Sequence, residues 1–95
     1  MTKYEIMYII RPTALEDTRK ALIEELNTIF TSRGSEIVNV NEWGMKDLAY
    51  EIQKHKKGYY VVLDVLANDD ARNEFDRIVK IREDVIRYMI LKDVR

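Results

Sequence analysis

The segment that decides the fold reads Gln53-Lys54-His55-Lys56-Lys57-Gly58, followed by Tyr59-Tyr60-Val61-Val62-Leu63-Asp64-Val65-Leu66. The first six residues are polar and end in glycine, which is typical of a hairpin loop. The next eight are rich in aromatic and β-branched residues, which favour strands. Residues 36–52 have strand character too, and the side-chain parity switches around Gly44 predict a bulge or bend there. The pattern predicts a long hairpin.

On the N-terminal side, Tyr4 to Ile10 predicts a strand, which Pro12 ends because proline cannot donate to a ladder. Thr13 and Glu16 have the spacing of a capping box, so we expect Thr13 to cap a first helix. Arg33-Gly34 is expected to close this helix, with Gly34 in the left-handed conformation. Apolar residues recur between these ends at helical spacing, at Leu15, Leu22, Leu26, Ile29 and Phe30.

On the C-terminal side, Asn68-Asp69-Asp70 supplies cap candidates for a second helix, and Val85 to Leu91 predicts the last strand. The apolar stripe of the second helix consists of Ala71, Phe75, Ile78 and Val79. The order of elements predicts an α+β fold of the ferredoxin-like type, βαββαβ, with a four-stranded antiparallel sheet and two helices on one face. We expect residues 1–95 to form a single domain.

The amino-acid composition limits the classes of protein to which the chain could belong. The chain is 46% hydrophobic and 35% charged, which indicates a globular domain, and it has no cysteine. No apolar run approaches ~18–20 residues, so we expect a cytoplasmic protein with no membrane partner. The formal net charge of −1 counts against a general nucleic-acid binder, because such domains usually carry a basic excess. Any RNA binding would need a local basic patch or a partner.

Candidate catalytic, metal and cofactor residues are not apparent. The single histidine, His55, lies in a lysine-rich loop with no serine nearby, so a solvated loop residue is the favoured interpretation. No His, Asp and Glu cluster has metal-ligand spacing, and the glycines are too far apart for a phosphate loop. The sequence therefore predicts a protein that is not an enzyme, needs no cofactor and binds no small-molecule substrate.

The second face of the predicted sheet is unusual, because two helices cover only one face and the other should be polar. The more uniformly apolar set of each strand is expected to face the helices: Tyr4, Ile6, Tyr8 and Ile10, then Tyr59, Val61, Leu63 and Val65, then Ile86, Tyr88 and Ile90. The open face then carries Met7, Ile9, Tyr60, Val62, Met89 and Leu91. Such a patch marks a partner surface, unless it is tolerated surface or the strand parity differs.

Basic residues gather at the hairpin and near the last strand, at Lys54, Lys56, Lys57, Arg77, Lys80, Arg82, Arg87, Lys92 and Arg95. The first and last strands are neighbours in a ferredoxin-like sheet. Lys3, Arg87 and Lys92 are therefore expected to lie near one another, where they could hold phosphates. A solvated charged face accounts for the spacing equally well.

A longer motif resembles a known family. Gly44-Met45-Lys46-Asp47-Leu48-Ala49-Tyr50-Glu51-Ile52 is similar to the signature of the bacterial small-subunit ribosomal protein six family. Nearly the whole chain follows the family's order, including Tyr4-Glu5, Arg11-Pro12, Lys57-Gly58-Tyr59 and the run from Ile81 to Tyr88.

The resemblance implies a ferredoxin-like structural component of the small ribosomal subunit. It implies binding to the central domain of small-subunit rRNA as a heterodimer with small-subunit ribosomal protein eighteen. A partner that shares the RNA contact would explain both the weakly acidic charge and the apolar open face. From sheet geometry we expect Lys3, Tyr4, Arg87 and Lys92 to contact RNA, and Lys46, near the bend, to reach RNA or the partner. The alternative is a non-ribosomal ferredoxin-like domain that self-associates or binds a small molecule.

Overall fold

The fold is a four-stranded antiparallel sheet with two helices, as expected. The computed structural model describes residues 1–92. Its elements are β1 (Thr2–Ile10), α1 (Glu16–Thr31), β2 (Glu36–Ile52), β3 (His55–Ala67), α2 (Asp69–Ile81) and β4 (Val85–Lys92). The strand order is β2-β3-β1-β4, and every pair of neighbours is antiparallel. The ferredoxin-like βαββαβ order is therefore confirmed.

The core lies between the helices and one face of the sheet. The alternate apolar residues of the two central strands are fully or almost fully buried there: Tyr4, Ile6, Tyr8 and Ile10 of β1, and Val61, Leu63 and Val65 of β3. Phe75 of α2 joins the layers, since its ring lies 5.2 Å from that of Phe30 and 6.2 Å from that of Tyr8. The predicted parity of β1 and β3 is confirmed, and the other face of the sheet is left without a helix.

The parity predicted for β4 holds only in part. Tyr88 and Ile90 pack against the core as expected, but Val85 belongs to the core cluster and Ile86 does not. The pairing register shifts where Ile9 faces Arg87 and Ile10 faces Val85. A bulge adds one residue and reverses the alternation, which the sequence pattern did not reveal.

The two helix starts differ. Asn68 caps α2 as predicted, because its side-chain oxygen accepts a hydrogen bond of 2.8 Å from the backbone N–H of Ala71. The capping box at Thr13 was wrong. Residues 12–14 form a turn, α1 begins at Glu16, and the cap position is Leu15, which provides no side-chain hydrogen bond and is exposed. The Thr13 hydroxyl instead accepts from Arg11.

The hairpin turn is tighter than predicted. Ile52 pairs with His55, so only Gln53 and Lys54 lie in the turn, with φ of 49° and 67°. Two consecutive positive φ values are typical of the two-residue turn whose twist matches that of the strands. Residues 55–58 therefore extend β3 instead of forming a loop.

The predicted bend in β2 is confirmed at Gly44, which has a φ of 88° and lies at a shift in the pairing with β3. Beyond the bend, the hairpin curves over the open face of the sheet. Leu48, Tyr50 and Ile52 enclose a small cavity of about 110 Å³ together with Ile9 and Arg87. The hairpin therefore covers one end of the face that the helices leave open.

Gly58 permits this close approach. A Cβ added at Gly58 would overlap Cγ2 of Ile9 and lie 3.5 Å from Cδ2 of Leu48. Since Cγ2 is a branch at the Cβ of a buried β-branched residue, it cannot swing away without moving the whole side chain. The packing between β3 and β1 at this point requires a residue without a side chain.

We expect Gly58→Ala to lower the free energy of unfolding by about 1–3 kcal/mol, because it overpacks a filled site. Urea denaturation followed by circular dichroism measures the change. In an Ile9→Ala background the same substitution should cost clearly less, since the overlapping methyl group is gone. Equal costs in the two backgrounds would contradict the proposed contact.

A second contact makes stability depend on pH. The Tyr88 hydroxyl donates a hydrogen bond of 2.7 Å to Asp76, and Lys80 lies 2.9 Å from the same carboxylate. The Tyr88 hydrogen bond, followed by that of Lys80, lowers the pKa of Asp76. A carboxylate with a lowered pKa stabilises the fold above its unfolded-state pKa, and the contribution disappears as pH falls through the folded-state value.

We expect Tyr88→Phe to cost about 1 kcal/mol at neutral pH, because the charged acceptor loses a donor. The difference from wild type should shrink below a pH of about 4, as Asp76 takes up a proton. Denaturation midpoints measured from pH 7 to pH 2 test this, with Tyr60→Phe on the opposite face as the matched control. A difference that stays constant across this range would exclude the Asp76 contact as its source.

Candidate nucleic-acid and partner interface

On the open face the strand register places side chains opposite one another in rows, beginning with an outer row in which Lys3 faces Leu66 and continuing with three more rows. In the first of these three, Glu5 faces Asp64 and Leu91. In the second, Met7 faces Val62 and Met89, and in the third, Ile9 faces Tyr60 and Arg87. These three rows are therefore apolar in the middle, acidic at one end and basic at the other, and Lys3 lies beyond the acidic row.

The six predicted partner residues share this face, but they differ in accessibility. Met89 and Leu91 are exposed, with 37% and 51% of their surface accessible, and Met7 and Tyr60 are half-buried. Ile9 and Val62 are buried, so neither presents a surface to a partner. Ile9 is buried because Gly58 and Leu48 of the hairpin pack against its side chain.

The sequence reasoning missed Trp43 as a surface residue. The indole is half exposed and stacks on Tyr60, with ring centroids 6.4 Å apart and an angle of 8° between the planes. The ammonium group of Lys46 lies 6.0 Å from the same indole. The sequence signal for this surface was a tryptophan followed three residues later by a lysine. The bend at Gly44, however, made it impossible to assign the two side chains to a face of β2 from alternation alone.

The predicted RNA-binding residues do not form one cluster. Lys3 faces Leu66 and Arg87 faces Ile9, so the two lie at opposite ends of β1, about 20 Å apart at ~3.3 Å per residue. Lys92 faces Tyr4 and therefore projects towards the helix side of the sheet. Sheet neighbours were expected to be close, but an antiparallel register brings only opposed positions together.

The remaining predicted residues do not add to a basic cluster. Tyr4 belongs to the core and is 9% exposed, so its ring is not accessible for base stacking. Arg95 lies outside the described residues. Lys46 is exposed on β2, beside the indole of Trp43. The exposed cations are thus spread over the protein surface.

Arg87 has a defined environment at the basic end of the open face. Its guanidinium donates a hydrogen bond to the hydroxyl of Tyr50 and lies over the Tyr50 ring, 5.5 Å from the centroid. Both side chains are exposed. The contact joins the hairpin tip to β4 and holds a cation and an aromatic ring side by side at the surface, which is a combination suited to phosphate and base contacts.

A polar cleft of about 690 Å³ lies near the hairpin turn, between it and the end of α2. His55 lines it together with Arg11, Lys80 and Arg82. Each of these cations has a carboxylate partner, which is Asp84 for Arg11, Asp76 for Lys80 and Glu25 for Arg82. The cleft is therefore close to charge-balanced. Within residues 1–92 no group of three or more His, Asp or Glu side chains is arranged to hold a metal ion.

Neither helix in the described part of the chain combines the length and apolar content needed to cross a lipid bilayer.

Comparison with known proteins agrees with this architecture. The crystal structure of 30S ribosomal protein S6 from Thermotoga maritima superposes with a TM-score of 0.91 at 29% sequence identity. The match covers 97% of this chain and 87% of the other. The family model described as ribosomal protein S6 matches residues 3–92, which is nearly the whole sequence. On this evidence the chain belongs to the ribosomal protein S6 family.

Proposed function

We propose that this chain binds the central domain of small-subunit rRNA together with small-subunit ribosomal protein eighteen. Membership of the S6 family makes it a small-subunit ribosomal protein, and that family is a structural, non-enzymatic class. We further propose that residues 1–95 act as one domain without cofactor, and that the protein works bound to the ribosome in the cytoplasm.

The observation that carries the proposal is the open sheet face. Trp43, Met89 and Leu91 are large apolar residues with between one third and slightly more than half of their surface exposed. The core between the helices and the sheet is already filled, so these exposed residues are not needed to complete it. Exposed apolar patches of this kind mark interaction sites. A protein partner would cover the patch, which supports the heterodimer.

The charge of the chain supports shared RNA binding. A net charge of −1 supplies little of the phosphate neutralisation that dominates protein–RNA affinity. We therefore expect the partner to provide much of the positive charge. This chain would add cations at a few positions, for which we propose Lys3, Lys46, Arg87 and Lys92. The buried Tyr4 is left out of this set.

The exposed apolar patch also favours a second candidate function, self-association through the open faces of two copies. In that case the chain would sediment as a homodimer without any partner. The same experiments separate the two functions, because a homodimer needs neither RNA nor protein eighteen.

Titration of a labelled central-domain rRNA fragment tests the proposal, with this chain alone, protein eighteen alone and the two together. We expect tight binding only with both proteins, since neither presents the complete surface. Sedimentation of the chain alone reports its oligomeric state. No binding in any mixture, together with a stable homodimer, would replace the proposed binding to rRNA and protein eighteen by self-association.

Neutral variants test the proposed RNA contacts in the same titration. Lys46→Gln and Arg87→Gln should each weaken assembly on RNA and reduce the slope of affinity against salt by about 1, as expected for a lost phosphate contact. Lys20→Gln is the matched control, because Lys20 lies on α1 and pairs with Glu16 away from the open face. Unchanged salt slopes for both test variants would remove these residues from the RNA contact.

A further inference from the structure

Two carboxylates face each other at the acidic end of the open face. Glu5 of β1 and Asp64 of β3 are directly opposed in the strand register. Glu5 is exposed, whereas Asp64 is half-buried. Like charges at directly opposed positions of a sheet destabilise it. The isolated chain therefore carries an unfavourable pair at this position.

No ion pair within residues 1–92 offsets this pair. Several carboxylates elsewhere have close basic partners: Asp84 pairs with Arg11, Asp76 with Lys80 and Glu74 with Arg33. Glu5 and Asp64 have no ion pair with any described residue. Lys3, two residues before Glu5 on the same face, is engaged in an interaction of its own. A carboxylate pair that the chain does not neutralise itself is a ready acceptor for an external cation.

The neighbours of the pair are apolar. Leu91 lies opposite Glu5 on the other side, and Met7 with Val62 forms the next row along the two strands. Leu91 is exposed and Met7 is half-buried. Lysine and arginine combine an apolar stem with a charged head, so one side chain of this type could contact both the apolar row and the carboxylates.

We propose that the open face binds a basic segment of a protein partner, with one lysine or arginine head group between Glu5 and Asp64 and its aliphatic stem against Met7 and Leu91. This inference rests on the proposed function, in which a basic partner shares the RNA contact. It divides the open face by charge: the Glu5–Asp64 row takes protein, and RNA is left to the Arg87 end and to Lys3, which lies one row beyond the carboxylates.

Other occupants fit less well. RNA phosphates would be repelled by two carboxylates that lack a bridging cation. A second copy packed face to face would have to supply its own cation to the pair. Both cations in the described rows of this face are already engaged, Arg87 with Tyr50 at the hairpin tip and Lys3 in an interaction of its own. A partner that brings its own basic side chain meets neither difficulty.

The test compares Glu5→Gln/Asp64→Asn with the charge-matched control Asp17→Asn/Glu24→Gln, whose sites are exposed on α1. In calorimetric titrations with purified protein eighteen, the test variant should bind at least about 10-fold more weakly than the wild type, as expected for a lost desolvated charge pair. The affinity of the control should change by less than about 2-fold. The isolated test variant should melt at the same or a higher temperature, because like-charge repulsion is removed. A lower melting temperature together with weaker binding would indicate a merely structural role.

A second probe separates this inference from the proposed function. It is a synthetic peptide in which arginine alternates with valine, compared with the same peptide carrying citrulline in place of arginine. NMR spectra of the labelled wild-type chain should shift at Glu5, Met7 and Asp64 with the arginine peptide only. Binding of this peptide without binding of protein eighteen would reject the proposed partner and retain the surface.

Besides a lower melting temperature with weaker binding, three further results would overturn the inference. The first is equal affinity of the wild type and the test variant for protein eighteen, which leaves the ribosomal partnership intact. The second is the failure of both protein eighteen and the arginine peptide to bind the wild type. The third is a homodimer of the chain that the test variant dissociates, which would assign the carboxylate pair to a second copy.

Discussion

The structure depends on one geometric constraint: two helices can cover only one face of a four-stranded sheet. The core residues Ile6, Leu63 and Phe75 satisfy this constraint on the helix side, where they are fully buried. The other face keeps apolar residues such as Met7, Met89 and Leu91 that nothing on the helix side can reach. The remaining features of the molecule follow from how this second face is covered, charged or left open.

Part of the cover comes from the chain itself. The bend at Gly44 directs the β2–β3 hairpin back over the sheet, and Gly58 lets it approach Ile9. The contact between Tyr50 and Arg87 fixes its tip. The bend and the close approach both need a residue without a side chain, at Gly44 and Gly58 respectively. This explains why two glycines within long strands are compatible with a stable sheet. The hairpin buries one end of the open face and leaves the other exposed.

The sequence predicted what depends on local periodicity. The order of elements, the parity of β1 and β3, the Asn68 cap and the bend at Gly44 all follow from alternation or turn chemistry. Prediction from the sequence failed where a single residue shifts the alternation of side chains or the boundary of an element. The bulge at Ile86 reversed a parity, the two-residue turn at Gln53 lengthened β3, and Leu15 displaced Thr13 from the cap. The curvature that buries Ile9 could not be predicted either, because it arises from tertiary packing of distant segments.

The same curvature explains how a chain of net charge −1 presents a positioned arginine at one end of the open face. The register separates Glu5 and Asp64 from Arg87 by the length of the open face, and the hairpin holds Arg87 against Tyr50 at the far end. Salt screens interactions between exposed charges beyond about 8–10 Å, so the two ends act nearly independently. Net charge alone therefore does not show where on this surface each partner binds. An acidic end and a basic end on one sheet face can serve two partners of opposite charge, whereas a uniformly basic face would repel a basic protein.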